Sequence, residues 1–250
     1  MRLSGRDELV LRALSRFRIA RTGDLATLAF EGVRRETVNR RLRRLFDGGF
    51  LETRVGDRSE ENAYTVGPAG KRWLAERRLA VGPRPRGSVE HHLAIVRSWV
   101  ELAAAVHAFR NVELALVRPD WEIRERVPEA RLVPDGLVEL RFTADNMSPT
   151  SIRFALEADC GSERHAALRD KLERYASVLG DREGLFGWRD FGLLVRLAAG
   201  GQRRAESVRA LLESTWPGWS VLWTVEDAFL VVRLVVQSAC APALTGSSNG

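Results

Sequence analysis

Apolar positions recur at three- and four-residue spacing over Arg6–Arg18, Thr22–Phe30 and Val33–Asp47, which predicts three short helices. Thr22 fits as N-cap of the second, and Gly48-Gly49 stops the third. FLETRV and NAYTV then read as two β-like runs around the polar turn GDRSEE, and Gly67–Arg78 reads as a closing helix. Three helices, a hairpin and a last helix, in that order, predict a winged helix-turn-helix over residues 1–80. The Pro-, Gly- and Arg-rich stretch Val81–Ser88 predicts a linker.

The pattern changes after the linker. Val89–Phe109 is amphipathic, with Leu93, Val96 and Val100 on one face. Strand-like runs follow at Val112–Val117, Trp121–Arg126, Leu132–Leu140 and Ser151–Asp159. A helix is predicted over Ser162–Leu179, where Leu168, Leu172, Tyr175 and Leu179 keep helical spacing. Phe191–Ala198 predicts a strand, Gln202–Ser214 a helix, and Trp219–Val225 and Phe229–Val236 two further strands. This order predicts an α/β domain over residues 89–240 with helices on both faces of its sheet, and residues 241–250 as a disordered tail.

Charge divides along the same line. Residues 1–86 carry nine more basic than acidic side chains, and the remainder carries three fewer, giving the net +6. A basic front and a mildly acidic back predict a nucleic-acid-binding module joined to something else. Of 39 basic residues only Lys71 and Lys171 are lysine, a bias that reflects a GC-rich genome more than guanidinium chemistry. The position of an arginine therefore counts for more than its number. No apolar run approaches a membrane span, the first residues lack the core of a signal peptide, and two cysteines make no disulfide framework. The expectation is a reduced, cytoplasmic protein with no membrane partner.

On a helical wheel Val33–Asp47 gathers Val38, Leu42 and Leu45 on one side, with Phe46 beside them. Arg40, Arg43 and Arg44 fall opposite, flanked by Thr37. A basic face on the second helix of a helix-turn-helix suits the major groove of double-stranded DNA. The candidate DNA-binding residues are Arg34, Arg35, Thr37, Asn39, Arg40, Arg43 and Arg44, with Arg54 and Arg58 on the wing. A homodimer reading paired half-sites is the matching expectation.

Candidate chemistry sits in the second half. Along Ser151–Asp159, Ile152, Phe154, Leu156 and Ala158 share one face while Glu157 and Asp159 share the other. Two acids at a strand end need compensation, which Mg²⁺ would supply with Asp135 as a third oxygen ligand. Such an ion activates water and polarises a phosphodiester, and a nearby lysine, Lys171, stabilises the developing charge. The catalytic candidates are thus Asp135, Glu157, Asp159 and Lys171, the first three as metal ligands.

Pro134-Asp135 followed by Glu157-Ala158-Asp159 resembles the PD-(D/E)xK nuclease fold. Lys171-Leu-Glu-Arg-Tyr175 resembles the helix motif of RecB-type nucleases, with Lys171 where glutamine is usual. The chain as a whole resembles the replication-relaxation family of plasmids and other mobile elements, over roughly residues 6–180. His92, Trp121-Glu122, Pro134-Asp135-Gly136, Glu157-x-Asp159 and Lys171-Leu172 with Tyr175 carry that resemblance. It implies a winged helix followed by a restriction-endonuclease-like α/β domain. It also implies DNA binding, with a role in element replication, conjugative DNA processing, DNA relaxation or their control. Two readings of the second domain stay open: a Mg²⁺-dependent endonuclease, or a nuclease-like core serving a transcription or replication regulator.

The family's acid-x-lysine motif reads acid-x-acid here, so Lys171 would have to act from the helix. Nine residues into a helix opening at Ser162, it lies about 13 Å along the axis, far for a site at the strand end. Smaller signals are read structurally. His91-His92 packs a helix start, and Cys160 is a small buried residue. Glu101 and Glu122 are candidate auxiliary acids, and Trp216, Trp219 and Trp223 are core or interface.

Overall fold

The computed structural model describes residues 2–54, 61–84, 88–128, 130–143, 150–161 and 164–223 of a mixed α/β protein. Its chain divides into two units, one of Met1–Val100 with Pro119–Glu129, the other of Glu101–Arg118 with Ala130–Gly250. Arg58, most of the GDRSEE turn, part of the Val81–Ser88 stretch, the strand expected at Phe229–Val236 and the tail lie outside the described residues.

Unit 1 begins with α1 (Gly5–Phe17), whose Ser4 N-cap and Asp7 satisfy each other's backbone N–H in a capping box. A two-residue strand β1 (Ala20–Arg21), too short to show a period, leads into α2 (Thr22–Ala29) and α3 (Arg35–Asp47). Strands β2 (Leu51–Arg54) and β3 (Ala63–Val66) pair antiparallel, Leu51 opposite Val66, and β1 adds to the other side of β3. Then come α4 (Pro68–Glu76) and the first part of α5 (Val89–His107). Leu11, Leu14, Leu25, Val38, Leu42 and Leu45 form the core, closed by Val96 and Val100 of α5. Gly70 of α4 lies so close to β2 that a Cβ there would stand 2.4 Å from the Phe50 carbonyl oxygen. No larger residue fits without moving the helix.

The run Trp121–Arg126, expected as a strand, is a helix, α6 (Asp120–Arg126). Trp121 and Ile123 are both buried and two apart, which imitates strand alternation over so short a stretch. The end charges favour the helix: Asp120 and Glu122 lie in its first turn, Arg124 and Arg126 in its last. Tertiary contacts fix it. The Trp121 indole donates to the Arg16 carbonyl at 2.7 Å, and Arg16 pairs with Glu122 at 3.0 Å.

Unit 2 is a five-stranded sheet in the order β4-β5-β6-β7-β8. The strands are β4 (Val112–Pro119), β5 (Gly136–Phe142), β6 (Thr150–Asp159), β7 (Gly192–Leu197) and β8 (Ser220–Trp223). β5 and β6 run antiparallel, whereas β6, β7 and β8 are parallel, with α7 (His165–Val178) and α8 (Gly201–Thr215) as the crossovers. β5 opens at Gly136 rather than Leu132, which leaves Asp135 just ahead of the strand. Residues 154–159 of β6 are buried without alternation, because helices cover both faces of this central strand.

One face of the sheet carries an ion pair sealed from water. Arg196 of β7 donates to both carboxylate oxygens of Glu101 on α5, at 2.8 and 2.9 Å, with both residues more than nine-tenths buried. Glu101, considered as an auxiliary acid, is thus already committed. Glu101→Ala should cost about 3–5 kcal/mol in denaturant unfolding, because it leaves a buried guanidinium unpaired. Glu101→Leu combined with Arg196→Met should recover most of that loss.

Candidate functional site

α3 turns Val38, Leu42 and Leu45 inward, so most of its remaining positions face solvent. Arg34, Thr37, Asn39, Arg40, Arg43 and Arg44 are all exposed. Their charges are not equivalent. Arg35 pairs with Glu61 beside β3, and Arg43 pairs with Asp47 at 2.9 Å while lying over the Phe46 ring. Exposed pairs like these are worth about 0–1 kcal/mol and exchange readily for a phosphate. Arg41 differs, because its partner Asp7 is fully buried and also accepts from the Ser4 hydroxyl and backbone N–H. Burial alone would raise the Asp7 carboxyl, but Arg41 and Ser4 together hold it below its ordinary value. Arg34, Arg40 and Arg44 have no acidic partner among the described residues. Arg54 lies on β2, and nothing further is described of its side chain.

In unit 2, β6 delivers Glu157 and Asp159 to the face covered by α7 and α8. Lys171 and Tyr175, one turn apart on α7, both donate to the Glu157 carboxylate, one to each oxygen. Their spacing of four is what lets a single acid engage both. α7 opens at His165, so Lys171 lies only six residues in and reaches the strand that the sequence placed far from it. Asp135 accepts from the Ala158 backbone N–H at 2.9 Å, which seats it between β5 and β6. Asp159 goes elsewhere: it accepts from Arg204 of α8 at 2.8 Å and from the Gly161 N–H at 2.7 Å.

Burial pushes the Glu157 carboxyl up to about 7; Lys171 opposes that shift and the Asp135 charge adds to it. The Tyr175 hydroxyl is raised well above its ordinary value, by burial first and by the Glu157 charge second. The arrangement therefore brings Asp135, Glu157, Lys171 and Tyr175 together and gives Asp159 to a different cation. Both Glu157 oxygens and both Asp159 oxygens already accept hydrogen bonds. The three acids do not fit one shared divalent ion as they stand. Among the described residues no group of three or more His, Cys, Asp or Glu side chains is placed to hold a metal.

A family model described as replication-relaxation matches residues 11–187, more than half of the chain. The chain belongs to the replication-relaxation family. Membership associates it with the replication or relaxation of plasmids and other mobile elements. No curated protein and no solved structure matches it. Among the described residues no helix is long and apolar enough to cross a membrane.

Residues that suggested the replication-relaxation family from sequence separate into two groups. Asp135, Glu157, Lys171 and Tyr175 form the unit 2 cluster, while Trp121 and Glu122 fasten α6 to the end of α1. His92 is buried, its Nδ1 accepting from Arg18 at 3.2 Å, and Arg18 also pairs with Asp120. Trp216 is core, against Phe191 and Tyr175, and Trp219 packs on Phe154. Cys160 is half-buried, more open than its size suggested. Arg41 and Arg204 were missed: in a chain this rich in arginine nothing local marks those that bind buried acids.

A carboxyl raised from about 4.5 to about 7 binds its proton more tightly in the folded protein. The stability it contributes is full below about 4.5 and is lost as pH rises through about 7. Thermal unfolding of wild type against Glu157→Gln should therefore show the difference moving against wild type between pH 5 and pH 8. A difference independent of pH would rule out this protonation.

Proposed function

We propose that the chain is a double-stranded-DNA-binding protein of a mobile element, acting in its replication, DNA relaxation or their control. In this reading unit 1 is a winged helix-turn-helix with α3 as its recognition helix. Unit 2 is a restriction-endonuclease-like α/β unit whose acids are held by internal cations. The observation that carries the proposal is the outward face of α3, where Arg34, Arg40 and Arg44 stand exposed with no acidic partner among the described residues. Uncompensated guanidinium groups on a helix of this kind match phosphates and guanine edges.

One observation favours the endonuclease alternative, the Lys171 ammonium on Glu157 with Asp135 beside it. Against it stand the pairing of Asp159 with Arg204 and the double engagement of Glu157.

Supercoiled plasmid incubated with the protein and Mg²⁺ or Mn²⁺ separates the two. Retarded but intact plasmid is the expected outcome. Nicking that disappears in Glu157→Ala would establish the endonuclease instead. On a short duplex, Arg40→Ala and Arg44→Ala should each weaken binding, and each should lower the salt-dependence slope by about 1 if the residue holds a phosphate. Arg41→Ala should instead lower the melting temperature, since it strands Asp7.

A further inference from the structure

Beside the outward face of α3 lies a concavity of about 280 Å³, between that helix and the first turn of α1. It is lined by Val33, Thr37 and the exposed edge of Phe30 together with Arg6, Arg40, Arg41 and Arg44. Arg41 is neutralised by Asp7, whereas Arg6, Arg40 and Arg44 have no acidic partner among the described residues. The exposed lining is mostly apolar. Such a surface is poorly matched to a bare phosphate, which needs donors on every side. It is equally poorly matched to an apolar peptide, which would bring three cations out of water uncompensated. A flat apolar ring joined to a phosphodiester satisfies both parts at once.

We infer that this concavity seats one unpaired nucleotide of the bound DNA, its base against Val33 and Phe30 and its flanking phosphates on Arg6, Arg40 and Arg44. The inference rests on the DNA-binding reading above and adds the kind of DNA preferred: duplex interrupted by an unstacked base. A base in a continuous duplex is stacked and cannot enter. A bulged or extruded base has already met the cost of unstacking, so the seat contributes fully to its binding.

The test measures fluorescence anisotropy of the full chain with three duplexes of equal length: fully paired, with a one-nucleotide bulge, and with the same bulge lacking its base. The base-bearing bulge should bind about tenfold tighter than the paired duplex, and the abasic bulge should lose that gain. Val33→Asn, which makes the floor polar without altering charge, should remove most of the gain and leave the paired duplex bound as before. Arg6→Gln, at an exposed position that does not endanger folding, should reduce the gain as well. Equal tightening by both bulges would mean recognition of bent DNA, and would overturn the seat. Equal affinity for all three would overturn it too, with DNA binding intact. Persistence of the gain in both variants would overturn it likewise. Failure to bind any duplex would overturn the DNA-binding reading and the seat together.

Discussion

A carboxylate in the central strand of a sheet covered on both faces is the constraint from which the rest of unit 2 follows. Removing an ion from water costs several kcal/mol even after the protein relaxes around it. Glu157 meets that cost through two neighbours of different character and through its own protonation. Lys171 brings charge, Tyr175 brings a neutral donor, and protonation remains available because the acid titrates near 7. The same rule governs Asp159 with Arg204, and Glu101 with Arg196 on the opposite face. Among the described residues of unit 2, each buried acid has a cation of its own. Lysine at position 171, in a chain that nearly always uses arginine, fits a space already shared with the tyrosine hydroxyl. A compact ammonium leaves room for that second donor, where a planar fork would claim both oxygens.

Unit 1 applies the opposite rule on its surface. Arg40 and Arg44 lie one turn apart on α3, a like-charge spacing that costs an isolated helix about 0.2–0.5 kcal/mol. The chain relieves comparable charge elsewhere on the same helix, through Glu61, Asp7 and Asp47. Around its circumference the helix therefore carries a core stripe, a strip of internal pairs and a strip of arginines without an acidic partner among the described residues.

The sequence was most legible where periodicity was long. The three N-terminal helices, α5, α7 and α8 were all expected, and so were the strands β2 to β7 as elements. It failed at Trp121–Arg126, where two buried apolar residues two apart cannot distinguish a strand from a docked helix. It also failed at β1, two residues that have no period at all. In the site, Lys171 was named as a candidate but placed too far along its helix, because the helix opens at His165 rather than Ser162, and Tyr175 was read as part of the apolar stripe rather than as a donor to Glu157. The separation of Asp159 from its neighbours was not legible. Alternation places both acids on one face, but only the packing of α8 brings Arg204 to the second of them. The identity of a buried acid's partner is a tertiary property, and no local spacing encodes it.

The course of the backbone bears on modularity. The chain leaves the first unit at Glu101, re-enters it at Pro119 and leaves again at Ala130. A recombination joint placed at the Pro- and Gly-rich stretch would separate the basic helices from Val96, Val100 and the α6 indole that complete them. Exchange of the first unit is therefore not a single-crossover event. A replacement for it has to bring its own first half of α5 and its own α6.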